Sequence, residues 1–143
     1  MAKSRKLQGT VEEVETAFYD ALSHADLDAL MALWAEDEEI VCVHPGAPRL
    51  TGHDAIRASW EAVFERGGLH IRPLQLHAVH NVMAAVHNLI EDVRQGPQEG
   101  EARHILATNV YLKTARGWRM VMHHASIAPG KMPESLTGAT VLH

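Results

Sequence analysis

Histidine is the residue type in this sequence that is best suited to proton transfer. Eleven histidines occur among the 143 residues, and an imidazole exchanges its proton near pH 7 without any large pKa shift. His44 follows a short apolar run and opens a His-Pro-Gly turn, which makes it a candidate general base. The alternative interpretation is structural, with His44 satisfying backbone groups of the turn.

Three further polar candidates lie on strand-like runs near the end of the chain. Asn109 interrupts an otherwise apolar alternation, so a buried amide at this position needs hydrogen-bond partners. The Asn109 side chain contacts a ligand if its face of the strand lines a pocket. It lies in an interface if that face meets another subunit. His123 and His124 point to opposite faces of their strand, so only one of them faces the interior.

Other kinds of reactive site have little support in the sequence. His77 and His80 have an odd spacing on a strand-like run, which places them on opposite faces. There is no His-Glu-x-x-His motif, cysteine cluster or glycine-rich phosphate loop, so neither a metal nor a cofactor is predicted. A three-histidine site assembled from separate strands stays open.

The elements predicted to position these residues are helices in the first part of the chain and strands in the second. Apolar spacing predicts helices at residues 10–24, from residue 26, and at 54–66, then strands at 69–81, 83–95, 102–114 and 117–128. This order is typical of the α+β class. We expect a single domain over residues 1–143, with a core at 11–128 and peripheral tails at 1–9 and 129–143.

Charge and composition exclude several classes of partner. The net charge is −5 and no basic stripe follows the short Lys3–Lys6 segment, so nucleic acid is not an expected partner. No 18-residue apolar run or signal-peptide pattern is present, which argues against membrane insertion and secretion. The lone Cys42 fits a reducing compartment, and a cytoplasmic location is expected.

The run from His104 to Leu112 indicates self-association. Both of its alternations are mostly apolar, whereas an antiparallel sheet with one wet face alternates cleanly. We therefore expect a homodimer through the outer face of the sheet.

Two stretches carry a family resemblance that covers residues 11–127. The first is Asp26-Leu-Asp-Ala-Leu-Met-Ala-Leu-Trp-Ala-Glu-Asp with Val43-His-Pro-Gly, Leu50-Thr-Gly-His-Asp-Ala-Ile and Ser59-Trp60; the second is Ala107-Thr-Asn-Val-Tyr with Gly117-Trp-Arg-Met-Val-Met-His-His-Ala-Ser126. Together they resemble the bacterial SnoaL-like members of the nuclear-transport-factor-2-like superfamily. The resemblance implies a cone-shaped, curved antiparallel sheet that wraps on three N-terminal helices and encloses a pocket for a small-molecule ligand.

Ketosteroid isomerase, an enzyme of this superfamily, provides a residue-by-residue test of the resemblance. His44 takes the place of its catalytic Asp, Phe18 lacks the hydroxyl of its oxyanion Tyr, and Asn109 replaces its protonated Asp. These changes argue against ketosteroid isomerase activity. The final His-x-Ser pattern of the family favours His124 as the inward histidine. The resemblance also implies a pocket wall formed by the side chains Phe18, Trp34, Trp60, Phe64 and Met122. Core packing is, however, the ordinary role of buried aromatics.

The function that follows is the binding of a small, apolar organic molecule, with proton transfer of the isomerase, dehydratase or cyclase type. His44 is the expected base, and Asn109 and His124 are the expected hydrogen-bond donors to a developing oxyanion. The alternative is a non-catalytic domain for ligand binding or oligomerisation, because this fold carries many unrelated functions.

Overall fold

The computed structural model describes residues 9–96 and 98–129. The helices are α1 (Val11–Ser23), α2 (Leu27–Met31) and α3 (His53–Phe64); the strands are β1 (Val41–Val43), β2 (Leu50–Thr51), β3 (Leu69–His80), β4 (Ala84–Gln95), β5 (Gln98–Thr114) and β6 (Gly117–Ile127). The predicted tails at 1–9 and 129–143 lie almost wholly outside the described residues. None of the described helices has the length and apolar character needed to cross a membrane.

The six strands form one curved, unclosed sheet in the order β2-β1-β6-β5-β4-β3. Every neighbouring pair is antiparallel except β1 and β6, which run parallel. Buried side chains from all three helices form one core cluster with the inner face of the sheet. The predicted α+β class, with three N-terminal helices packed on a curved sheet, is confirmed. The connection between the strands predicted at 83–95 and 102–114 is shorter than expected, because β5 already begins at Gln98.

Local signals explain where α1 begins and which face it buries. The Thr10 hydroxyl accepts a hydrogen bond of 3.1 Å from the backbone N–H of Glu13, which caps the first turn. Val14, Phe18 and Leu22 recur at helical spacing and are all fully buried. α1 therefore presents an apolar stripe to the sheet, and this stripe sets which of its polar residues also reach the sheet.

The connection from α3 to β3 is fixed by two glycines. Gly67 has a φ of 103°, a conformation that side chains bearing a Cβ rarely adopt. Gly68 approaches the end of α1 so closely that a Cβ there would collide with the carbonyl oxygen of Ser23. The start of β3 is thereby held against α1 at the rim of the sheet.

A β-bulge interrupts β6 and changes which of its residues face inward. Val110 pairs with Met122 but the next residue, Tyr111, pairs with Met120, so Val121 is the extra residue. Because side chains alternate with a period of two, the inward set changes from even to odd numbers at this point. Trp118 and Met120 face the core before the bulge, and His123 and Ala125 do so after it.

Candidate functional site

A cavity of about 360 Å³ opens between α3 and the inner face of the sheet. Apolar side chains form most of its wall, and its polar lining residues are His44, Arg66, Glu91, Gln95, Arg103 and His123. A volume of this size lies within the range of small-molecule sites, as does a wall with few polar groups. The cavity is the candidate site for a ligand.

Glu91 is the carboxylate of this cavity. It lies on β4, is 3% exposed, and accepts a hydrogen bond of 2.7 Å from the Tyr19 hydroxyl at Oε2. Oε1 makes no hydrogen bond with the described residues. Burial raises the pKa of Glu91 to about 7, with the charge of Glu15 adding to the effect and the Tyr19 hydrogen bond opposing it. Because Oε2 already accepts the hydrogen bond from Tyr19, neutral Glu91 carries its proton on Oε1.

His123 faces the cavity as a neutral imidazole. Its Nδ1 lies 2.6 Å from Oδ1 of Asn109, an atom that only accepts, so Nδ1 carries the proton. Nε2 is then an acceptor, and it has no partner among the described residues. Burial lowers the pKa of His123 to about 3, helped by the charges of His44 and His124.

His44 lines the cavity directly after β1, the strand that pairs with β6 beside His123. The Ser59 hydroxyl donates to the carbonyl of Ile56 at 2.7 Å, so its oxygen accepts from His44 Nε2 at 2.9 Å. This arrangement leaves Nδ1 of His44 as the basic nitrogen. Burial lowers its pKa, and the ring packs edge-on against Trp60 with 4.6 Å between centroids.

Asn109 connects His123 to Glu15 and Tyr19, but neither of its N–H groups is left to donate to a ligand. Its Nδ2 donates to Oε2 of Glu15 at 3.1 Å and to the Tyr19 hydroxyl at 3.0 Å, while Oδ1 accepts from His123. The side chain is fully buried and does not line the cavity. The expectation that Asn109 donates to an oxyanion is therefore wrong, because Glu15 and Tyr19 occupy both N–H groups.

The expectation that His124 faces inward is also wrong. His124 is exposed and His123 is 3% exposed, because the bulge at Val121 reverses the alternation of β6, which the His-x-Ser pattern does not reveal. The same reversal turns Met122 to the outer face, where it pairs with Val110.

The predicted pocket aromatics divide between wall and core. Trp60 lines the cavity, whereas Phe18, Trp34 and Phe64 do not. Phe18 and Trp34 are core residues, 0% and 1% exposed. Phe18 still supports the wall from behind, since its ring contacts both Trp60 and His123.

Sequence reasoning missed Glu91 and its partner Tyr19. A signal for Glu91 was present, because it follows Ala85, His87 and Leu89 on one alternation of β4 that is otherwise largely apolar. A carboxylate on such a face is rarely buried unless it is hydrogen-bonded, so it marks a site. Tyr19 had no comparable signal, since an aromatic on a helix normally belongs to the core.

The family model for the SnoaL-like domain matches residues 11–129. The chain belongs to this family, and its fold is the nuclear-transport-factor-2-like fold. Among solved structures, a candidate calcium/calmodulin-dependent protein kinase type II association domain from Thiobacillus denitrificans is 38% identical, with a TM-score of 0.73 over 83% of this chain and 95% of that one.

Two further relatives of this SnoaL-like domain bear different descriptions. A candidate dehydratase of the NTF2-like family from Streptomyces avermitilis is 26% identical, with a TM-score of 0.75 over 84% of this chain and 95% of that one. The F-box protein SKIP8 of Arabidopsis thaliana is 24% identical over 117 residues, which are 80% of this chain and 48% of the plant protein. The chain thus spans about half the length of that curated relative.

Because His123 is buried as a neutral imidazole, the free energy of unfolding should depend on pH. The folded pKa of about 3 lies below the unfolded value of about 6.5, so the unfolded chain binds more protons below pH 6.5. His123 therefore costs no stability at pH 7, and the free energy of unfolding falls as the pH decreases below 6.5, by roughly 1 kcal/mol per pH unit. We expect His123→Gln to remove this loss in urea midpoints measured between pH 7 and 5.

His124→Gln is the matched control for that experiment. His124 is the exposed neighbour on the same strand, so its variant should follow the wild-type profile. Parallel profiles for the wild type and both variants would contradict the buried neutral state of His123.

Proposed function

We propose that this SnoaL-like domain binds a small organic molecule in the cavity and transfers a proton to or from it, with Glu91 as the acid–base group. Glu91 carries the proposal, because it lines a largely apolar cavity, its Oε1 has no hydrogen-bond partner among the described residues, and its pKa of about 7 suits both giving and taking a proton. The reaction class is proton abstraction and return, as in an isomerase, a dehydratase or a cyclase.

The two histidines of the cavity support this assignment in different ways. His123 presents the unprotonated Nε2 and accepts hydrogen bonds from a ligand hydroxyl or amine. His44 lies directly after β1, the neighbour of β6, and its unprotonated Nδ1 makes it a second candidate base of the cavity. A second base beside Glu91 in the same cavity suits the removal of a proton at one atom of the ligand and its return at another.

The rim of the cavity favours a ligand with an anionic group. Arg66 and Arg103 line the cavity and are exposed. Neither guanidinium makes an ion pair or hydrogen bond within the described part of the chain. A carboxylate on the ligand would supply the planar, paired acceptor that guanidinium groups bind best. The ligand we propose therefore has an apolar body and one acidic group.

The description of the Streptomyces avermitilis relative agrees with proton transfer. A dehydration removes a carbon-bound proton and expels a hydroxyl group, and a residue such as Glu91 serves both steps in turn. At 26% identity that relative lends support to the reaction class and none to a particular substrate.

A substrate-independent test uses 5-nitrobenzisoxazole, whose isoxazole ring opens to a coloured phenolate once a base removes the proton from C3 of that ring. We expect the wild type to open this ring faster than acetate of equal concentration, with a rate that rises through about pH 7 as Glu91 ionises. Glu91→Gln, which keeps the hydrogen bond from Tyr19, should lower the rate by about 100-fold.

The exposed Glu61 on α3 provides the control, and Glu61→Gln should keep the wild-type rate. Equal urea midpoints for the wild type and Glu91→Gln would show that the fold is retained. An unchanged rate in a folded Glu91→Gln variant would remove Glu91 from the chemistry and leave the binding-only alternative ahead.

A second candidate function is assembly, and the outer face of the sheet favours it. Apolar side chains of four adjacent strands lie in register there: Val79, Val86, Val110 and Met122. Val79 and Val86 are 73% and 39% exposed, which is unusual for an aligned apolar row in a monomer. The 38% identical relative from Thiobacillus denitrificans is described as a candidate association domain. We therefore keep the homodimer through this face as a proposal, and a cytoplasmic location stays a prediction.

Val86→Lys and Val110→Lys place charges in that row and should convert a dimer to a monomer, because an interface cannot bury unpaired charges cheaply. Light scattering on a sizing column at micromolar concentration measures the mass. Ala58→Lys, on the exposed face of α3, should leave the mass unchanged. A wild type with the mass of one chain would contradict the dimer.

A further inference from the structure

A second cluster of polar side chains lies outside the cavity, where α1 crosses the hairpin end of β3 and β4. It consists of Glu12 on α1, His80 at the end of β3 and His87 on β4. One carboxylate oxygen and one imidazole nitrogen from each histidine lie within 4.8 Å of one another. Among the described residues, no other three histidine, cysteine, aspartate or glutamate side chains converge in this way.

The backbone places the two histidines side by side. His80 pairs with Ala85, which shares the inward alternation of β4 with His87, so the two histidines are diagonal neighbours on one face. Their Nε2 atoms are 2.8 Å apart and their rings are nearly parallel, with 14° between the planes. Oε2 of Glu12 lies 3.8 Å from the same Nε2 of His80.

Glu15, one helical turn after Glu12, fixes the orientation of His87. Its Oε1 lies 2.9 Å from Nδ1 of His87, and a carboxylate accepts, so the ring proton sits on Nδ1. Nε2 of His87 is then a bare acceptor that points at His80. A carboxylate behind an imidazole in this way is the arrangement that orients metal-binding histidines and raises their basicity.

We propose that Glu12, His80 and His87 bind a divalent transition metal of the Zn²⁺ class. Two imidazole nitrogens and one carboxylate oxygen are the ligand set that Zn²⁺ accepts with an open fourth position. Glu12 and His80 are exposed, so water completes the coordination shell, whereas His87 is fully buried and anchors the site.

The spacing needs only a small adjustment to hold the ion. Two nitrogens at about 2.0–2.1 Å from a tetrahedral Zn²⁺ are roughly 3.3 Å apart, so the Nε2 atoms must separate by about half an ångström. His80 is exposed at the end of its strand and can make that movement. The alternative is a plain hydrogen bond between the two rings, in which His80 donates a proton from Nε2 to His87.

Titration calorimetry of the untagged protein with ZnCl₂ distinguishes these alternatives. We expect one Zn²⁺ per chain, and a loss of affinity of at least about tenfold in His80→Asn and in Glu12→Gln. Both substituted residues are exposed, so these variants should fold. Co²⁺ as a probe should give the visible absorption of a low-coordinate site in the wild type and lose it in His80→Asn.

His77→Asn is the matched control, because His77 lies on the same strand and faces the other side of the sheet opposite Asn88. His77→Asn should bind Zn²⁺ like the wild type. Zn²⁺ should raise the melting temperatures of the wild type and of His77→Asn, but not that of His80→Asn. The proposal is overturned if the wild type shows no stoichiometric binding. Equal losses of affinity in His77→Asn and His80→Asn would also overturn it, by assigning the binding to scattered surface histidines.

Discussion

The buried carboxylate of Glu15 is the interaction on which the rest of the structure depends. It lies on the face of α1 that packs on the sheet, and it accepts hydrogen bonds from His87 on β4 and from Asn109 and Tyr111 on β5. Burial alone raises the pKa of Glu15, but these hydrogen bonds outweigh burial and the pKa lies below its ordinary value. A charge inside a protein is tolerated only when it is satisfied in this way, so helix and strands must keep this one alignment.

The chemistry of the cavity follows from that alignment. By accepting from one N–H of Asn109, Glu15 helps to turn the amide so that its oxygen faces His123 and fixes the proton of that ring on Nδ1. The negative charge of Glu15 also helps to raise the pKa of Glu91. The pKa values of two carboxyl groups in one core are thereby moved apart: the pKa of Glu15 is lowered, and the pKa of Glu91, the group that we propose transfers a proton, is raised to about 7. Such a divergence of pKa values is how acid–base sites are commonly built.

The sequence predicted the fold well because helix caps and apolar periodicity are local signals. The Thr10 cap, the buried stripe of α1 and the order of helices before strands all follow from residues within a few positions of one another. The family resemblance supplied the curvature of the sheet and the existence of a pocket, neither of which follows from periodicity.

The site was harder to predict because it depends on register between distant strands. A single extra residue, Val121, exchanged the roles of His123 and His124, and no residue type in that run marks the bulge. The role of Asn109 depends on Glu15 and Tyr19, which are 94 and 90 residues away along the chain. Glu91, in contrast, is marked in the sequence itself, as a charged residue on an otherwise largely apolar alternation.

We propose that Glu91 is a buried acid–base group whose proton exchanges near neutral pH. The most direct measurement is the ¹³C chemical shift of its side-chain carboxyl as a function of pH, assigned by its absence in Glu91→Gln. We expect a midpoint at about pH 7 for that carbon. A midpoint near 4.5, the ordinary value for glutamate, would contradict it and leave the cavity without its acid–base group.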